Sequence, residues 1–155
     1  MRFNRTLPSA LLAALILAAC GGGDTVVYVP TEPTAPVVQG TVVTAAQMND
    51  TDLNAIFAAA KEGDTVTLPP GKYSFKGPLQ ITNKKKITVL GAGNGTDPTS
   101  NTILSFAKAL AQNGIDAANL DTVTFKKFAI EDASGNGVFV NQSKNIVMDT
   151  LRTEW

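Results

Sequence analysis

The 155 residues carry 13 Lys and Arg against 13 Asp and Glu, so the chain presents no basic field and no nucleic-acid partner is expected. It has no His and a single Cys, which removes the commonest general base and metal ligand, every Ser-His or Cys-His nucleophile pair and any internal disulfide. Charged residues are 17%, and Gly, Thr, Asn and Val are plentiful, a balance suited to one domain of short strands and turns.

The chain opens MRFNRTLPSALLAALILAAC. Arg2 and Arg5 form a basic region, and Leu11 to Leu17 an apolar run too short to span a bilayer as a stable helix. Its ending, Leu17-Ala18-Ala19-Cys20, resembles the lipobox of bacterial lipoproteins. That resemblance implies a signal peptide over residues 1–19 and lipidation of Cys20, whose acyl chains would make the membrane a partner. Gly21, rather than Asp, follows the Cys, which by the same resemblance implies the outer membrane of the bacterial envelope. Residues 20–41 hold Gly21-Gly22-Gly23 and then Pro30, Pro33 and Pro36, and are expected to form a flexible linker.

Asp50, Thr51 or Asp52 is expected to cap a helix running to about Lys61, with Leu53, Ile56, Phe57 and Ala60 on one apolar face and Gly63 closing it. Val66 and Leu68 then alternate, Pro69-Pro70-Gly71 turns the chain, and Tyr73 and Phe75 alternate again. An amphipathic helix with Ala-Ala-Ala-Lys-Glu-Gly-Asp, followed by Val-x-Leu-Pro-Pro-Gly-x-Tyr, resembles the N-terminal end of right-handed parallel β-helix proteins of the pectate-lyase-like superfamily. The resemblance implies an all-β, single-stranded solenoid over residues 42–155, with the helix covering its open end.

Leu79 and Ile81 suggest the next strand, and Lys84-Lys85-Lys86 a solvated corner. Ile87 and Val89 resume the alternation before Gly91, Gly93 and Gly95. These glycines are not a dinucleotide fingerprint, because Thr96 stands where Gly is needed and Asp97-Pro98 breaks the required helix. Residues 94–102 are expected to form a loop leaving the coil. Ile103 and Phe106 mark another strand region, and Ala107 to Gln112 a helical turn.

From there the chain repeats with an offset of 23. Asn113-Gly114 falls on Asn136-Gly137, Val123 on Ile146, Phe125 on Met148, Phe128 on Leu151 and Glu131 on Glu154. Residues one repeat apart in stacked strands lie roughly 4.8 Å apart. Two stacked glutamates can share a proton or hold a divalent ion, or can simply face solvent at a corner, which is the expectation for Glu131 and Glu154. Lys126, Lys127 and Arg152 could contact a uronate, but scattered basic residues on outer faces are ordinary. The Asp clusters of pectate lyases and polygalacturonases and the Tyr, His and Asp set of alginate epimerases are absent. No catalytic residue, metal ligand or cofactor is therefore assigned, and substrate-binding residues are left unassigned. The expected function is an envelope-anchored module engaging or scaffolding surface polysaccharide. The alternative is a polysaccharide lyase, hydrolase or epimerase whose active coils lie beyond residue 155, since the chain stops at Trp155 inside a repeat and is expected to be an N-terminal fragment.

Overall fold

A computed structural model describes residues 40–110 and 113–155. The stretch read as a signal peptide, Cys20 and nearly all of the expected linker lie outside these residues. The first strand, β1 (Gly40–Val42), begins two residues inside the stretch read as linker. A 3-10 turn at Ala45–Gln47 leads to α1 (Asp50–Ala59).

Nine strands follow: β2 (Thr65–Thr67), β3 (Gly71–Ser74), β4 (Leu79–Thr82), β5 (Thr88–Leu90), β6 (Thr102–Ser105), β7 (Ile115–Ala118), β8 (Asp121–Glu131), β9 (Val138–Asn141) and β10 (Lys144–Glu154). All their ladders are parallel, and they form three faces. One runs β1-β2-β5 onto the first half of β8 and β10. The second runs β3-β6 onto the second half of β8 and β10. The third is β4-β7-β9. This mostly-β, wholly parallel arrangement, with one α-helix among the described residues, is consistent with a parallel β-helix.

Columns of left-handed residues turn the corners. Asn83, Asn119 and Gln142 follow the ends of β4, β7 and β9, with φ of 57°, 55° and 47°. Lys86, Thr122 and Asn145 form the next column, and Lys127 and Thr150 bend β8 and β10 where their partners change face. A left-handed non-glycine residue costs roughly 1–2 kcal/mol, so each is held by the hydrogen bonds and packing on either side of it. Gly91 sits beside Lys127 at this bend, where an added Cβ would lie 2.2 Å from the Lys127 carbonyl oxygen. Only glycine permits so close an approach.

The 23-residue register is the one expected: Val123 pairs with Ile146, Phe125 with Met148, Phe128 with Leu151 and Glu131 with Glu154. The preceding turn is longer, since Leu79 pairs with Ile115 and Thr88 with Thr124, 36 residues on. Most of the extra chain is the loop through Gly91 to Asn101, and the rest lies between Ser105 and Ile115. Inside, Leu68, Phe75, Leu79, Ile81, Val89, Leu104, Phe106, Phe125, Phe128 and Ile130 are buried in one core. The Phe75 and Phe106 rings stack from successive turns with centroids 5.4 Å apart.

Helix α1 differs from expectation at both ends. Asn49 is the cap: its Oδ1 accepts from Thr51 N–H at 3.1 Å and Asp52 N–H at 3.0 Å, so Asp50 is already helical. The helix ends at Ala59, and Gly63 (φ 92°) lies in the following turn. Leu53 and Phe57 are buried, with Ile56 and Ala60 packed beside them, which is the expected face. The Lys84 ammonium donates to the carbonyls of Ala58 at 2.6 Å and Ala60 at 2.9 Å, where a cation favours the helix C-terminus. That lysine is therefore a structural tie and not a purely solvated corner residue. The Ala-rich piece after Phe106 makes a turn over Ala107 and Lys108, and no helix is present in its described part.

Candidate functional site

Two outer surfaces bring chemically active side chains together. On the second face, Lys72, Ile103, Ala129 and Arg152 occupy one column of the ladder, and Ser74, Ser105, Glu131 and Glu154 another. Ile103 and Ala129 alternate with the core residues Leu104 and Ile130, yet they too are buried. The Gly91–Asn101 loop returns over this side and is held there. Arg152 Nε donates to the Asn94 carbonyl at 2.7 Å, and Nη2 to the Gly95 carbonyl at 3.1 Å.

Arg152 Nη2 also donates to Glu131 at 2.6 Å, and Nη1 meets the Glu154 carboxylate. Lys72 Nζ donates to the other oxygen of Glu131 at 2.7 Å. Glu131 and Glu154 are thus one repeat apart, as expected, but a guanidinium lies between them. They are not a solvent-facing pair: the Glu131 side chain is 13% exposed and Glu154 57%. The hydrogen bond from Lys72, aided by Arg152, holds the Glu131 carboxyl below the usual glutamate range against the opposing effect of burial. With its pKa lowered, Glu131 is ionised at neutral pH and has no proton to give, so it is unsuited to general acid catalysis. Beside it, Ser105 Oγ donates to Asp132 Oδ2 at 2.7 Å. Lys126 pairs with Asp149 at 2.7 Å across successive turns. Among the described residues no group of three or more His, Cys, Asp or Glu side chains converges as a metal site.

The third face is different. Gln80, Asp116 and Phe139 stand in register on β4, β7 and β9, with Thr82, Ala118 and Asn141 two residues on. Ile115 and Ala117 point inward, so Asp116 and Phe139 point outward. Phe139 is 44% exposed. Asp116 Oδ1 accepts from Asn113 Nδ2 at 2.6 Å, and Asn113 Oδ1 accepts from Asn136 Nδ2 at 2.9 Å, a side-chain ladder at the corner that orients the carboxylate. An exposed ring beside a carboxylate and amides, at strand spacing, can stack on one face of a sugar while accepting and donating bonds to its hydroxyls.

A family model described as rhamnogalacturonase A/epimerase, pectate lyase-like, matches residues 40–154. The chain belongs to this family. No curated protein and no solved structure gives a significant match. Membership of the pectate-lyase-like family agrees with the resemblance carried by the Val66 to Tyr73 motif, and it points to polysaccharide-related work.

Of the residues singled out in the sequence, Glu131, Glu154 and Arg152 meet in one network, whereas Lys126 and Lys127 lie away from it. Lys72 was missed, since it comes from two turns earlier and no local pattern marks it. Nothing in the sequence pattern marks the shared outer row of Asp116 and Phe139 as a surface.

Proposed function

We propose that the chain is an envelope lipoprotein whose domain is a right-handed, single-stranded parallel β-helix engaging surface polysaccharide. In this reading α1 closes the first turn. Support comes from its side chains, which occupy backbone donors that no earlier strand takes: Asn54 Oδ1 accepts from Gln80 N–H at 2.8 Å, and Asp50 from Lys76 and Gly77 N–H. Cys20 carries the acyl anchor, and residues 21–39 tether the domain to the outer membrane. Loss of palmitate-analogue labelling in Cys20→Ala tests the anchor, and equal labelling of both proteins would refute it. Among the described residues no helix is long and apolar enough to cross a membrane.

The observation that carries polysaccharide engagement is the outward row Gln80-Asp116-Phe139 on a chain of a pectate-lyase-like family. Affinity electrophoresis through gels containing pectic polysaccharide tests it. The chain should be retarded, and Phe139→Ala should lose most of the retardation while keeping its circular dichroism. Unretarded migration, or equal retardation of the variant, would refute it.

The family description favours a second reading, a polysaccharide lyase, hydrolase or epimerase. Release of reducing or unsaturated ends from pectic substrates would support it, and inertness toward them would count against it.

A further inference from the structure

The loop between β5 and β6 carries Asp97-Pro98, the one Asp-Pro bond in the chain. Residues 96–100 are exposed, so water reaches this bond. An Asp side chain can close a five-membered anhydride ring on its own backbone carbonyl. The nitrogen that must then leave belongs here to proline. It is a tertiary amide nitrogen without an N–H, more basic than an ordinary peptide nitrogen, and it leaves more readily.

The fold equips both reacting groups. The Asp97 carbonyl accepts from Asn101 Nδ2 at 2.9 Å, Asn101 N–H at 3.1 Å and Ser100 N–H at 3.3 Å. Donors aimed at a carbonyl oxygen stabilise the negative charge that gathers there under attack. The Asn101 side chain is itself fixed, since its Oδ1 accepts from Gly95 N–H at 2.7 Å. The loop closes tightly on it: a Cβ added to Gly93 would lie 2.3 Å from that oxygen. On the nucleophile, Thr99 N–H donates to Asp97 Oδ1 at 2.9 Å, and the Thr99 hydroxyl lies 2.8 Å from Oδ1 and 2.9 Å from Oδ2. These bonds, the backbone one first, hold the Asp97 carboxyl below the usual aspartate range, so it stays ionised and nucleophilic in mild acid.

We propose that Asp97-Pro98 is a self-cleaving bond, cut by the Asp97 carboxylate at a carbonyl that three donors polarise. A carboxylate oxygen attacks the backbone carbonyl carbon of the same residue. A C–O bond forms, the C–N bond to Pro98 breaks, and the proline nitrogen takes a proton from solvent. Water then opens the cyclic anhydride, which leaves Asp97 with two carboxyl groups and Pro98 as a new amino terminus. The sum is hydrolysis of one peptide bond, and water is the only other reactant.

The break does not separate the two pieces. β3, β4 and β5 lie before it and pair with β6, β7 and β8 after it. It does sever the two arms of the loop that returns over the second face. The arm that Arg152 holds by the Asn94 and Gly95 carbonyls belongs to the first piece, and Asn101 to the second. Cleavage is thus a one-way loosening of that loop while the stacked turns persist.

The test is timed incubation of the purified chain in mildly acidic buffer, native and in urea, followed by denaturing electrophoresis and mass spectrometry of the fragments. The native chain should be cut between Asp97 and Pro98 about tenfold or more faster than the chain in urea, because unfolding removes the three donors. Asn101→Ala should slow native cleavage by about tenfold. Asp97→Glu keeps the charge but needs a larger ring, and should nearly abolish cleavage while keeping its circular dichroism. With hydroxylamine present, the first fragment should carry a hydroxamate on the Asp97 side chain, which a contaminating protease does not leave. An uncut native chain, a rate in urea equal to the native one or above it, or fragments without that hydroxamate would overturn the proposal. Equal cutting of Asp97→Glu would overturn it as well.

Discussion

Replacing Arg152 by Met keeps an unbranched stem of similar reach and removes the guanidinium. The change removes the donors to Asn94 and Gly95, the contact with Glu154 and one of the two cations on Glu131. A hydrogen bond from a charged group is worth about 1.5–3 kcal/mol when both partners are desolvated. Stripping one partner from a buried ion pair costs roughly 3–5 kcal/mol. Both figures shrink here. Glu131 keeps Lys72, and the freed loop carbonyls can turn to water. We expect R152M to lose about 2–3 kcal/mol in urea unfolding, with faster amide hydrogen exchange through Gly91–Asn101. The double variant with Glu131→Gln separates the pair from the loop tie. A coupling of about 1–2 kcal/mol between the two sites is expected for groups in direct contact. A loss below about 0.5 kcal/mol, the range of an ordinary surface change, together with unaltered loop exchange, would refute the clamp.

The same network predicts a pH dependence. Because the folded Glu131 carboxyl titrates below its ordinary value of 4.5, its contribution is fully present above that value and is lost as pH falls through the depressed folded one. Acid titration of urea midpoints should show this loss in the native chain and a smaller one in Glu131→Gln; identical profiles would contradict the assignment. Gly91→Ala would force its Cβ to within 2.2 Å of the Lys127 carbonyl oxygen, backbone that cannot swing aside, and should cost about 2 kcal/mol or more in the same assay. A neutral effect would mean that the bend between the first and second faces is not tightly packed at this point.

Much of the architecture was legible in the chain. The 23-residue offset reported which residues stack, because parallel in-register pairing places identical positions of successive turns side by side, and a repeat in space must then be a repeat in sequence. The helix face was readable from Leu53 and Phe57 for the same reason, since periodicity and burial are one geometric fact. Asn119 and Asn145 are residues that tolerate the left-handed conformation, and they stand at corners. Lys86, Thr122, Lys127 and Thr150 stand at equivalent corners with no such preference. Their bends are imposed by the ladders on either side, so no local rule marks them.

What only the tertiary structure decided was the chemistry of the outer faces. From spacing alone, Glu131 and Glu154 were two carboxylates one strand apart. Whether they share a proton, face water or pair with cations depends on Lys72, 59 residues before Glu131, and on a guanidinium that also reaches a loop. Side chains on the surface of stacked turns meet partners from any turn whose register aligns, at sequence distances set by loop lengths elsewhere. Inward positions share one apolar requirement and leave a period; outward positions are each set by particular neighbours, and those neighbours exist only once the turns are stacked.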